Sequence, residues 1–264
     1  MILCGRSARH IYVANRLCQA ATPVAIVNEI GSKWSRKKIF NLMKPWVFWR
    51  KVRRWMRDRK RYAGNPEAKY YFDDQVPQFD REDLIHKFPH INAPGVVELA
   101  DRLQPDVICV FGTSLIRGEL LNKGRLGMLN LHGGLSPEYR GADCTFWALH
   151  NAEPEMVGCT LHFINEGIDT GDLIAHICPQ VKPNEDELVL FWRAVKSSAD
   201  VYAEALNRLE QGEKLGKTQT KKGKLYQVRD RLWKHEKELN SMYAKGQFSS
   251  VQLPLRVNWF HKGS

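Results

Sequence analysis

Arg125–Asp143 reads RLGMLNLHGGLSPEYRGAD and Gly158–Ile174 reads GCTLHFINEGIDTGDLI. Asn130 and His132 lie two apart in an apolar run with Met128, Leu129 and Leu131. The two-residue period of a strand turns both polar side chains to one face and the leucines to the other. Gly133-Gly134-Leu135-Ser136-Pro137 ends that strand in a turn where a ligand approaches the backbone closely. A second strand, Cys159 to Ile164, runs into the glycine-flanked loop Gly167-Ile168-Asp169-Thr170-Gly171, which presents Asp169. Amide, imidazole and carboxylate together suit acyl transfer: a donor for the developing oxyanion, a proton handler and a charge that orients it. Singly, each has an ordinary use as a satisfied strand group or turn former, so only the joint spacing points to chemistry. His162, alternating with Leu161 and Phe163, reads as part of the site wall, and Asp172 as a turn residue.

Asn-x-His, a Ser-Leu-x-Pro-like turn and an Asp-x-Gly loop about forty residues later resemble the core of the 10-formyltetrahydrofolate-dependent formyltransferases. That family holds the methionyl-tRNA, glycinamide ribonucleotide and sugar N-formyltransferases. The resemblance extends, more weakly, from Met1 to about Gly212. It implies catalytic roles for Asn130, His132 and Asp169, a primary amine as acceptor, 10-formyltetrahydrofolate as donor and no metal. It implies folate contacts from Thr113, Ser114, Leu115 and Ile116, from the turn at Ser136 and Pro137, and from Asn165, Glu166, Gly167 and Ile168. A plain strand-to-helix connection stands as the alternative for residues 113–116. Gly5, Arg6, Ser7, Tyr139 and Arg140 are the acceptor-side candidates. The turn departs from the family, reading Gly134-Leu135-Ser136-Pro137 where Ser-Leu-Leu-Pro is usual, so backbone contacts survive and a hydroxyl contact is lost.

The flanking sequence alternates strands with helices, which implies an α/β fold with a doubly wound, Rossmann-like, mostly parallel sheet. Ile2-Leu3-Cys4, the Gly5 turn and a helix from Arg9 to Ala20 open it; Pro23 to Val27 is the expected second strand and Lys69 to Phe72 the third. Pro94 starts a helix through Arg102, and Val107 to Phe111 is a continuous apolar run of the buried parallel kind. Ligands in such sheets sit outside the carboxyl ends of the strands, and the segments after Phe111, Leu131 and Ile164 are read as lying there. Glu185 to Gln211 is a long helix burying Leu188, Phe191, Trp192, Val195, Ala199 and Tyr202. Residues 1–212 read as the catalytic domain and 213–264 as an extension.

The formal charge of +11 is concentrated: residues 33–61 hold thirteen Lys or Arg and one acid, Asp58, a local +12 that leaves the remainder near −1. This basic insert, 33–62, has Leu42, Trp46, Trp49, Val52 and Met56 at helical spacing, with Lys51, Arg53, Arg54 and Arg57 largely on other faces and Pro45 to kink or begin the helix. Three readings stand: an interfacial helix on an anionic membrane through 39–61, a grip on nucleic acid such as a tRNA acceptor stem, or a helix that packs its tryptophans on the domain. Six scattered cysteines without a CxxC pair fit reduced thiols and a cytoplasmic setting, peripheral to the membrane's inner face if the helix docks there. There is no export signal and no run of apolar residues long enough to span a bilayer. With about fifty residues after Gly212 there is no room for the tRNA enzyme's barrel. The favoured acceptor is therefore an amino sugar linked to a nucleotide or lipid. A methionyl-tRNA formyltransferase, a formyltetrahydrofolate hydrolase and a non-catalytic folate-binding protein docked on membrane or RNA are the alternatives, and a homo-oligomer stays open.

Overall fold

A computed structural model describes residues 1–31 and 44–263. Its strands are β1 (Ile2–Cys4), β2 (Ile26–Glu29), β3 (Ile85–Phe88), β4 (Ile108–Phe111), β5 (Met128–His132), β6 (Tyr139–Gly141), β7 (Cys159–Phe163), β8 (Leu173–Cys178), β9 (Lys224–Tyr226) and β10 (Arg256–Trp259). The helices are α1 (Ala8–Ala20), α2 (Pro45–Arg61), α3 (Pro66–Phe72), α4 (Pro94–Leu103), α5 (Cys144–His150), α6 (Glu187–Glu210) and α7 (Trp233–Ala244). Eight strands form one sheet in the order β10-β8-β7-β5-β4-β1-β2-β3. Strands β1 to β5 pair in parallel, while β7, β8 and β10 are antiparallel to their neighbours. The expected fold class is present.

The apolar runs ILC and ICVF are buried on both faces, as parallel strands covered by helices must be. Leu129 and Leu131 enter the core beneath α1 and α6 with Val13, Trp192, Val195, Ala199 and Tyr202. Met128 joins Leu3, Val27 and Val110 in a second core with Val96 and Leu99 of α4. Asn130 and His132 share Met128's face by strand alternation. The buried Tyr202 hydroxyl donates to Leu129 O (2.7 Å) and accepts from Val110 N (2.9 Å), linking β5 to β4 where the active face begins.

Several local expectations are corrected. Residues 69–72 end a helix, not a strand: Pro66 fixes the first turn of α3, and the chain then buries Tyr71, whose hydroxyl donates to Trp192 O (2.8 Å). The third strand is Ile85–Phe88, only half buried and so lacking the apolar signature of the others. The second strand is shifted to Ile26–Glu29. Because β7 is antiparallel to β5, the loop after Ile164 leaves beside Met128, not at the carboxyl ends of β4 and β5. It reaches the site by running back along the sheet.

Pro45 does begin the insert helix; residues 32–43, which include Leu42 of the expected stripe, lie outside the described residues. Residues 213–263 fold back on the domain, β9 pairing with β6 and β10 completing the sheet edge beside β8.

Candidate functional site

The side chains of Asn130, His132 and Asp169 meet in a cavity of about 380 Å³ beyond the carboxyl ends of β4 and β5. His132 Nδ1 lies 3.4 Å from Asp169 Oδ2, and His132 Nε2–H donates to the Tyr139 carbonyl at 2.9 Å. The Gly141 amide donates to Asp169 Oδ2 at 2.8 Å. Burial opposes ionisation of Asp169, but His132, His162 and that amide outweigh it and lower the carboxyl to about 2. Burial also lowers the His132 pKa, against the pull of Asp169 and the Tyr139 carbonyl. At neutral pH the pair is therefore a neutral imidazole facing a carboxylate. A proton arriving at Nδ1 would complete an ion pair.

His162 is more central than its alternation suggests. Its Nδ1–H donates to Phe163 O (2.7 Å), which leaves Nε2 to accept from Asn130 Nδ2 (3.1 Å), 3.6 Å from Asp169 Oδ1. It thereby fixes which way the Asn130 amide points. The cross-strand pairing of Asn130 with His162 sets this contact, and sequence alone does not give that register.

Thr113, Ser114, Leu115 and Ile116 line one wall of the cavity, and Asn165, Gly167 and Ile168 another. Asn165 Oδ1 accepts from Gly167 N (3.0 Å) and Thr170 Oγ1 (2.7 Å), which curls the loop toward Asp169. Glu166 is exposed and off the wall. Arg9, His10 and Phe191 also line the cavity, unforeseen from sequence. Gly112 has φ +72°, and a Cβ there would stand 2.0 Å from His10 Nε2, so the His10 ring occupies space that only glycine leaves. Burial, with the neighbouring Arg9 charge, lowers His10 to about 3 and keeps it neutral.

Four further sets of candidates stand off the cavity or are engaged within the protein. Ser136 and Pro137 do not line the cavity: the Ser136 amide donates to Thr160 Oγ1 (2.9 Å), its carbonyl accepts from His176 Nε2 (2.8 Å), and the turn is tied from behind. Gly5, Arg6 and Ser7 also stand off it. The Gly5 carbonyl accepts from Asn28 Nδ2 (2.7 Å) and the Ser7 amide donates to His10 Nδ1 (3.2 Å), so this backbone is engaged within the protein. Tyr139 turns its ring away, stacked on Tyr226 with its hydroxyl on Glu153, and meets the site only through its carbonyl. Arg140 donates to Gly223 O (2.9 Å) and Ile168 O (3.4 Å), tying loops together.

A second cavity, about 290 Å³, shares Arg9, Gly133, Gly141 and Phe191 with the first. Arg54, Arg57 and Arg61 of α2 and Arg231 line it. Arg231 is nearly fully buried and is held by Glu187 (2.9 Å), Glu236 (2.7 Å) and Asp143 (3.3 Å). No cluster of metal-ligating side chains occurs among the described residues.

Comparison with known proteins fits this geometry. The methionyl-tRNA formyltransferase of Chlorobium chlorochromatii is 34% identical over 125 residues, 47% of this chain and 40% of that protein. The chain thus matches well under half the length of such curated relatives. In fold it is similar to a sugar N-formyltransferase from Shewanella sp FDAARGOS_354 (TM-score 0.57, 15% identity, 90% of this chain and 85% of that one). It is likewise similar to a 4-N formyltransferase from Francisella tularensis (TM-score 0.58, 14% identity, 97% of each chain). The Formyl transferase family, whose members draw on 10-formyltetrahydrofolate, matches residues 62–206, more than half of the sequence. On that match the chain belongs to the Formyl transferase family.

Proposed function

We propose that this protein transfers the formyl group of 10-formyltetrahydrofolate to the primary amine of an amino sugar carried on a nucleotide or a lipid. The observation that carries the reading is the convergence of Asn130, His132 and Asp169 in one cavity, with the carboxylate held ionised beside a neutral imidazole. The walls fit a folate head: Leu115 and Ile168, apolar and exposed, offer surface to a flat ring beside the polar trio. Asn165 and Gly167 complete that wall.

The neutral amine attacks the formyl carbon. Asn130 Nδ2 spends one N–H on His162 and keeps the other for the developing oxyanion. His132, neutral at rest, takes the proton shed by the attacking amine at Nδ1 opposite Asp169, and so gains its charge as the oxyanion develops. Asp169 orients His132 and helps move that proton on to the leaving nitrogen. On this reading residues 1–212 are the catalytic unit and 213–264 brace it: Gln219 Nε2 donates to Asp169 O (3.1 Å) and Gly171 O (2.7 Å). The six free cysteines, five of them buried, suit a reducing cytoplasmic setting.

The second cavity adjoins the trio and is lined by Arg9, Arg54, Arg57, Arg61 and Arg231 with Asp58, Asp143 and Glu187, and this cationic excess supports a small phosphorylated acceptor. Methionyl-tRNA is the competing acceptor, favoured by the 34% identity of the relative across 47% of this chain. The test is a formyl-transfer screen of nucleotide-linked and lipid-linked amino sugars and methionyl-tRNA, read by absorbance of released tetrahydrofolate and by product mass. Turnover with an amino sugar and none with methionyl-tRNA is expected. Efficient formylation of methionyl-tRNA would replace the acceptor, and release of tetrahydrofolate with no amine added would make the protein a hydrolase.

A further inference from the structure

Helix α2 turns its charged side inward and its aromatic side out. Arg54, Arg57 and Arg61, three and four residues apart, share the inner side and line the second cavity. Arg57 reaches Glu236 (2.9 Å) and Arg61 reaches Glu187 (2.8 Å). Phe48, Trp49, Val52, Trp55 and Met56 recur at the same intervals on the other side. Phe48, Trp49, Trp55 and Met56 are 48, 58, 58 and 51% exposed. Exposed Lys44, Lys51, Arg53, Arg59 and Lys60 accompany them. Trp233, which opens α7 and is itself exposed, lines the same surface recess as Met56. A helix that merely packs on a domain buries its apolar stripe; this one leaves the stripe in solvent among exposed cations and turns Arg57 and Arg61 to the domain.

We propose that this outer face of α2, with Trp233 beside it, seats on an anionic lipid bilayer. Aromatic rings would lie at headgroup depth and the accompanying cations against lipid phosphates, the composition that interfacial helices use. A second copy of the chain fits less well, because two strongly cationic faces would oppose each other. Among the described residues no helix is long and apolar enough to cross a membrane, so the contact is peripheral. The inner side of the same helix walls the cavity that adjoins Gly133 and Gly141. Docking would therefore set that cavity about 10 Å, one helix diameter, from the lipid surface, whether or not the chemistry there is formyl transfer.

The test is co-sedimentation of the whole chain with phosphatidylethanolamine vesicles containing a minority of phosphatidylglycerol, against vesicles of phosphatidylcholine alone. The parent should partition to the anionic vesicles and be released by high salt. Trp49→Ala/Trp55→Ala should weaken partition about tenfold for each ring, and Lys51→Glu/Arg53→Glu at least fivefold for each cation lost. Circular dichroism identical to the parent, and unchanged tetrahydrofolate release with any soluble acceptor found, would show that both variants keep fold and site. Three results overturn the proposal: no partition of the parent, partition indifferent to both variants, or an aromatic face that instead supports a dimer by light scattering or salt-sensitive tRNA binding lost in the tryptophan variant. Vesicle binding is read without turnover, so failure of the docking and failure of the enzymatic reading are separate outcomes.

Discussion

Asp169 answers to His132, His162 and the Gly141 amide at once, and each favours its charged form. Asp169→Asn and His132→Ala should each lower kcat by about a hundredfold or more while folate affinity stays within a few-fold, since both act on charge that develops during reaction. Asn130→Ala should be as damaging. Steady-state kinetics with a folate binding titration decides this, and a near-normal rate in any of the three rejects the assignment. His132 has its pKa depressed below the usual 6.5 by burial, so kcat/KM should be level through pH 6.5 and fall only at lower pH. A break at or above 6.5 would contradict a neutral, buried imidazole. The same shifts bear on stability. A folded pKa below the unfolded one means that the unfolded chain takes up protons first, so the contribution is whole above the unfolded value and vanishes as pH falls through the folded one. For Asp169 that window runs from 3.8 to about 2, and for His10 from 6.5 to about 3. His10→Gln should move the acid-unfolding midpoint, followed by circular dichroism, to lower pH.

At the scale of elements, the ion cluster under α2 is the sharpest dependence. Arg231 joins Glu187, Glu236 and Asp143, and its guanidinium carbon sits 3.8 Å from the Phe146 ring centroid. Arg231→Met should cost about 3–5 kcal/mol, because removing one partner strands buried carboxylates. A fall in Tm of only a degree or two would show that water enters the cluster. Sequence made some elements legible and others not. Pro45 and Pro94 mark helix starts because a missing N–H costs nothing there. The period of α6 shows through because a long helix repeats its apolar stripe many times. Lys69–Phe72 misleads because one lysine and three aromatics satisfy either period, and only packing on Trp192 resolves them. In α2 the spacing gave Trp49, Val52 and Met56 but not Phe48 and Trp55, while Leu42 and the Trp46 side chain lie outside the described residues; which side faced the domain depended on Glu187 and Glu236, more than a hundred residues away.

Across the whole molecule, the parallel half of the sheet, with Asn130 and His132 on it, could be read from local runs of residues, because β1, β4 and β5 are short, mostly apolar and buried. The antiparallel half could not. No local feature says that β7 turns back along β5, or that the loop bearing Asp169 must return along the sheet. The last segment is tied to the site in the same non-local way: Gln219 holds the Asp169 loop, Gly223 receives Arg140, and β10 closes the edge of β8. A chain ending at residue 212 should therefore expose the β8 edge and aggregate, with a loss of soluble yield that size exclusion would report. This gives the tail a role in time as well as in space. During synthesis every residue of the trio emerges before Gln219 and β10, so the polypeptide passes through a stage in which the trio exists, the carboxylate loop lacks its Gln219 anchor and one flank of the sheet is bare. Among the described elements, the anchoring of that loop and the closing of that edge come after the trio.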